Sequence, residues 1–235
     1  MARFGWISPR RVRGRLAVAA ILGGLGGWRF GLSDNFATVR PGSLYRSGQM
    51  GAAPLAAAIE RHGIRTVLNL RGSHPESAWY RAERAATLGG GASQVDIAMS
   101  SCEWMSRAQA RALLEVLDSA ERPLLVHCFH GSERTGLVSA FAELLRPGST
   151  LADADSQFTV GYLYFGIGDG VVTHHQLVAY ESWLSDRHLR HTPDRLREWV
   201  RTAYTPGTPS REQWAFDPYP LIVTTRPAPR DAARR

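Results

Sequence analysis

A chain of 235 residues with 44% hydrophobic content is long enough to bury one sizeable core. Its net charge of +7, from 28 Lys and Arg against 21 Asp and Glu, suits anionic substrates or membrane surfaces. No basic patch with interleaved aromatics supports a nucleic-acid partner, and two cysteines exclude a disulfide framework.

Residues 1–33 read as a leader. Arg10, Arg11, Arg13 and Arg15 precede an uncharged run of 13 residues, Leu16 to Trp28. As a helix this run spans about 20 Å, short of a hydrocarbon core of about 30 Å. A basic stretch before a short apolar run is the pattern of a secretory signal. Without an Ala-x-Ala cleavage site it reads as an uncleaved signal-anchor, with the globular domain outside the cytoplasmic membrane. A secreted or a cytoplasmic protein is the alternative.

Residues 34–204 alternate strand and helix patterns. Leu44-Tyr45-Arg46 opens the domain, and a helix carrying Leu55, Ala58, Ile59 and His62 stops at Gly63. Thr66 to Leu70 reads as a strand and Ser77 to Leu88 as a helix closed by three glycines. Ser106 with Gln109 forms a capping box ahead of an Ala110, Leu113, Leu114, Leu117 stripe. Leu124-Leu125-Val126, bounded by Pro123, reads as a buried strand. This alternation predicts an α/β fold with a central, largely parallel sheet flanked by helices. Extra C-terminal helices are expected at 151–160, 174–187 and 193–203. From Thr205 onward six prolines and scattered arginines predict a flexible tail over 205–235.

The chemistry concentrates after the buried strand, in Val126-His127-Cys128-Phe129-His130-Gly131-Ser132-Glu133-Arg134-Thr135-Gly136. Leu137, Phe141, Leu144 and Leu145 then follow helical spacing, so the loop lies between a strand and a helix N-terminus. Unpaired N–H groups at that terminus favour a bound anion. The same N–H groups and a nearby cation lower a thiol's pKa and so favour the nucleophilic thiolate. The planar fork of Arg134 suits two phosphate oxygens. Thr135 is placed to donate to the sulfur when it leaves, and His127 to order the loop. Phe129, His130, Gly131, Ser132, Glu133 and Arg134 would wrap a phosphate, with Cys128 attacking phosphorus and no metal required. His174-His175 is discounted as a metal pair, because adjacent helical residues face different directions.

His127-Cys128-x-x-Gly131-x-x-Arg134-Thr135-Gly136 resembles the signature of cysteine-dependent tyrosine and dual-specificity phosphatases. Asn35-Phe36, Val39 to Gln49 and Gly63 to Gly72 extend the resemblance to a bacterial dual-specificity-like group similar to atypical plant and fungal enzymes. The resemblance covers about residues 34–187. It implies a cysteinyl-phosphate intermediate, no cofactor, and a general acid about thirty residues before the cysteine. That acid would sit on a mobile loop; Asp96 is the first candidate, followed by Glu133 and Glu103, with Val95-Asp96-Ile97 as a strand whose aspartate faces solvent as the alternative. Arg46 and Arg71 fall in the matching segments, as contacts to further phosphates or as structural ion pairs. Implied substrates are a phosphorylated protein, or a phosphoinositide, inositol phosphate or membrane lipid phosphate. A phosphate-binding pseudoenzyme or membrane-tethered interaction module is the alternative from another class.

Overall fold

The computed structural model describes residues 34–211 and 221–227. Its strands are β1 (Ala37–Arg40), β2 (Leu44–Ser47), β3 (Thr66–Asn69), β4 (Ser93–Ile97), β5 (Leu124–His127) and β6 (Ile222–Thr225). They form one mixed sheet in the order β1-β2-β5-β3-β4-β6. The four inner strands are parallel and the two outer strands antiparallel to their neighbours. Every residue of β2, β3 and β5 is buried, which explains their lack of polar alternation.

Two layers of helix cover the sheet. Helices α1 (Ala52–His62) and α2 (Ala78–Gly89) lie over one face. There Leu55, Ala58 and Ile59 pack on Tyr45, Val67 and Leu125. The other face carries α3 (Arg107–Ser119), α4 (Glu133–Leu144), α5 (Leu151–Asp155), α6 (Val171–Ser185) and α7 (Pro193–Glu198). Their core includes Leu113, Leu137, Phe141, Leu177, Tyr180 and Trp199 against Leu68, Val95, Leu124 and Val126. The helix α4 is buried from Thr135 to Leu144, so it is the central helix of this layer. Gly63 ends α1 in the left-handed conformation that glycine tolerates. Both bonds of the Ser106–Gln109 capping box are present at α3.

Two expectations are corrected. The helix expected over 151–160 stops at Asp155. Beyond it Gln157 turns inward to receive a buried guanidinium, and Phe158 packs against Gly136. Nor are residues 205–235 a tail throughout. Ile222–Thr225 pairs antiparallel with β4, while Pro209 and Arg211 bond to the Trp104 backbone. The β-branched Ile-Val-Thr-Thr run has the composition of a strand and covers an edge β4 would otherwise expose. The proposed signal-anchor lies outside the described residues, among which no helix is long and apolar enough to cross a membrane.

Replacing Ser106 by Ala removes the hydroxyl that accepts from the Gln109 N–H and leaves the other arm, from the residue 106 N–H to Gln109 Oε1, in place. Urea unfolding is expected to show a loss of about 1 kcal/mol, with little change in catalytic parameters.

Candidate active site

Strand β5 ends at His127, whose neighbours in register are Ser47 on β2 and Asn69 on β3. Cys128 therefore emerges at the carboxyl edge of the central parallel strands, and the chain from Cys128 to Arg134 curls into the first turn of α4. Its shape follows from where its carbonyls are tied. The Phe129 carbonyl accepts from the Gln49 N–H at 2.9 Å. The His130 and Gly131 carbonyls accept from Asn35 Nδ2 at 3.0 and 3.2 Å. Gly131 also accepts from Arg46 Nη2 at 2.9 Å, and Ser132 accepts from the same atom at 3.4 Å. In a trans peptide the C=O and the following N–H point in opposite directions. Tying four successive carbonyls outward thus turns the N–H groups of His130, Gly131, Ser132 and Glu133 inward, an anion-binding nest.

Arg46, expected as a phosphate contact or an ion-pair partner, is instead fully buried beneath the loop. Its Nη1 donates to the Gln157 carbonyl at 2.8 Å, and its guanidinium lies 3.9 Å from the Tyr162 ring centroid. Gly131 has φ +73°, and a Cβ there would sit 2.5 Å from the Gly48 nitrogen. No other residue fits that approach.

The inward-facing donors converge on sulfur. The Gly131 N–H donates to Cys128 Sγ at 3.3 Å. Burial pushes the Cys128 thiol pKa up, but Arg134, the Thr135 hydroxyl and the N–H groups of Thr135 and Gly131 outweigh it. The net shift is downward, toward thiolate. Arg134 Nη1 donates to the Met99 carbonyl at 3.2 Å, which fixes the guanidinium beside the segment following β4. Its Nε is buried without a hydrogen-bond partner among the described residues. An oxyanion held in the loop would satisfy such a donor.

The remaining sequence candidates are dispersed. Phe129 is 52% exposed and pairs edge-on with His130 at the loop's outer rim. The Ser132 hydroxyl donates outward to the Leu163 carbonyl at 2.9 Å. Glu133 lies against Gly170, and Glu103 pairs with Arg211 at 3.6 Å. Asp96 is neither on a mobile loop nor facing solvent. It is buried on β4, with Oδ1 accepting from Asn69 at 2.8 Å and Gln94 at 3.0 Å. Its Oδ2 accepts from Tyr80 at 2.5 Å. Burial and this bond push the Tyr80 hydroxyl pKa up to about 12, so it stays a donor.

Sequence reasoning missed Glu83, whose carboxylate lies 3.2 Å from His127 Nε2. It gave Arg71 no specific setting. Arg71 stacks 3.7 Å from the Trp79 ring centroid and 5.1 Å from that of Phe129, and donates to Gln49 Oε1 at 2.8 Å.

A buried cysteine at the end of a central parallel strand, ringed by inward N–H groups and followed by an arginine, has the form of the phosphate-binding loop of a cysteine-based phosphatase. Residues 24–146 match the tyrosine phosphatase family, and the chain belongs to it. Among solved structures it is similar to a cysteine-to-serine form of Pseudomonas aeruginosa TpbA in complex with phosphotyrosine. The two are 22% identical over 73% of this chain and 93% of that one, with a TM-score of 0.50. It is also similar to the core catalytic domain of the PP-IP phosphatase SIW14 from Saccharomyces cerevisiae, in complex with citrate. That match has 20% identity, covers 66% of this chain and 93% of that one, and has a TM-score of 0.47. No curated protein matches the chain.

Two outcomes test this geometry. Arg46→Met takes the guanidinium donor from the Gln157 carbonyl and leaves the Gly131 carbonyl to Asn35 alone, so stability is expected to fall by about 1–3 kcal/mol, with at least tenfold weaker tungstate binding by calorimetry. Cys128 alkylation by iodoacetamide is expected to titrate below the ordinary thiol value of about 8.5, so reactivity persists as pH drops through that value. Thr135→Val should move the midpoint upward.

Proposed function

We propose that this chain hydrolyses aryl phosphate monoesters of the phosphotyrosine type through a cysteinyl-phosphate intermediate. The observation carrying the reading is a buried sulfur that accepts from the Gly131 N–H at the end of the central strand, with Arg134 drawing its pKa down. In this mechanism the Cys128 thiolate forms an S–P bond as the ester P–O bond breaks, and its electron pair leaves on the aryl oxygen, which takes a proton from solvent. The nest and Arg134 hold the equatorial oxygens, where charge is densest in the transition state. Water then attacks phosphorus, the S–P electron pair returns to sulfur, and phosphate leaves. Thr135 steadies the returning thiolate.

Leaving-group chemistry supports the aryl preference. Among the described residues two of the three candidate carboxylates are otherwise engaged, Asp96 by three donors and Glu103 by Arg211, while Glu133 lies against Gly170. A phenol, with a pKa of about 10, departs with less proton assistance than an alkanol. The exposed face of Phe129, beside Arg71 stacked on Trp79, offers an aromatic wall to the substrate ring. A cavity of about 160 Å³ lined by Arg71, His74 and Arg211, together with Asp96, supports a second reading. There a polyphosphorylated small molecule such as an inositol phosphate places a further phosphate beside the arginines.

Phosphate release by the purified protein separates these readings. Phosphotyrosine peptides are expected to turn over at least a hundredfold faster than phosphoserine peptides, and Cys128→Ser to abolish both while retaining tungstate binding. Arg134→Lys should lose affinity and rate together. Faster release from inositol phosphates, with an Arg71→Ala defect confined to them, would select the second reading. A folded protein that releases nothing from any substrate would be a phosphate-binding pseudoenzyme.

A further inference from the structure

Behind the nucleophile lies a polar seam that the phosphate loop does not itself require. Period-two alternation sends Leu124 and Val126 of β5 into the larger core, and Leu125 and His127 toward α2. The same face carries Asn69 of β3 and Gln94 and Asp96 of β4, opposite Tyr80 and Glu83 of α2. Glu83 is its hub. It accepts from Gln49 Nε2 in a short contact, from Gln94 Nε2 at 3.3 Å, and from His127 Nε2 at 3.2 Å.

The ionisation of the pair follows from donor counting. His127 Nε2 faces a carboxylate, and Nδ1 faces the Cys128 carbonyl at 3.4 Å. Neither a carbonyl nor an ionised carboxylate donates, so both contacts are hydrogen bonds only if the ring carries two protons. The Glu83 carboxyl, met by three donors, is in turn satisfied as the anion. The directions of titration agree. Burial works against charge on both groups, yet their mutual attraction leaves His127 raised and Glu83 lowered. The side chains are 3% and 1% exposed, so water compensates neither if its partner is lost.

We propose that Glu83 is a positioning residue for the nucleophile, acting through His127. The carboxylate keeps the imidazolium charged and its ring fixed. Nδ1–H then holds the Cys128 carbonyl, which sets the direction in which the loop leaves β5. Through Gln49 the same carboxylate orients Arg71 at the rim, since Gln49 Oε1 accepts from Arg71 and the Gln49 N–H holds the Phe129 carbonyl. The charged groups facing this centre are Arg71 after β3, Cys128 at the end of β5 and, through Gln94, Asp96 on β4. Asp96 is coupled to it by Gln94, which donates to both carboxylates.

The inference rests on Cys128 being the nucleophile of the proposed reaction, but its test requires no turnover, so the two fail separately. The iodoacetamide midpoint of Cys128 is measured in the unvaried protein, Glu83→Gln, His127→Asn and the double variant, with thermal unfolding recorded for each. Glu83→Gln is expected to raise the midpoint enough to cut the alkylation rate at pH 6 by at least tenfold. The same change in the His127→Asn background is expected to add nothing, because the effect passes through the ring. An unchanged midpoint in folded Glu83→Gln, or additive effects in the double variant, would overturn the proposal. Nitrogen-15 NMR of the unvaried protein stands if the variant does not fold. His127 is expected to show two protonated nitrogens at pH 7, and a neutral ring there would equally overturn it.

Discussion

The whole site depends on the outward fixing of the carbonyls at residues 129 to 132. A peptide chain curled around an anion presents carbonyl oxygens as readily as N–H groups, and oxygens pointing inward would repel phosphate and thiolate alike. Arg46, Asn35 and the Gln49 backbone remove that alternative by giving each oxygen a donor on the far side. Much of the surrounding architecture serves those donors. Arg46 is held from below by Gln157 and Tyr162, which helps explain why α5 is a helix of only five residues. Asn35 also reaches the Tyr162 carbonyl, so the segments before β1 and after α5 close around the same loop.

The parts of this arrangement visible in the sequence are local. The strand before Cys128, the glycine mid-loop, the arginine and the helix after it all lie between Leu124 and Leu144, and each has its own compositional signal. The capping box at Ser106 and the stop at Gly63 are of the same kind. What escaped detection acts across long separations. Arg46 meets Gln157 across 111 residues and Glu83 meets His127 across 44, and nothing near either residue distinguishes a buried tether from a surface charge. The edge strand β6 was obscured by prolines on both sides, which made the neighbourhood resemble a tail.

Asp96 shows why spacing alone misassigns a role. A carboxylate thirty-two residues before the cysteine suits a mobile acid, and the alternating Gln-Val-Asp-Ile run equally suits a strand with one wet face. Neither anticipates a strand enclosed on both sides. With β6 added beyond β4 and α2 laid over the sheet, the polar positions of β4 have no solvent to face. They are compatible with burial only because Asn69, Tyr80 and Gln94 supply three donors to one carboxylate.

The two faces of the sheet thus contribute different halves of one electrostatic problem. Burying a thiol favours its protonated form, and at Cys128 burial is the largest single influence on the group. Fixed donors must outweigh it, and fixed donors are useful only if they do not relax toward one another. From the α4 face, Arg46 and Asn35 prevent the loop from turning its oxygens inward. From the α2 face, the His127–Glu83 pair holds the Cys128 carbonyl. If Cys128 acts as the proposed nucleophile, its restraint from both sides means that a phosphate meets donors already in place, and little of the binding energy is spent on reorganising them. Electrostatic preorganisation of that kind is where most of the stabilisation of a phosphoryl-transfer transition state is obtained.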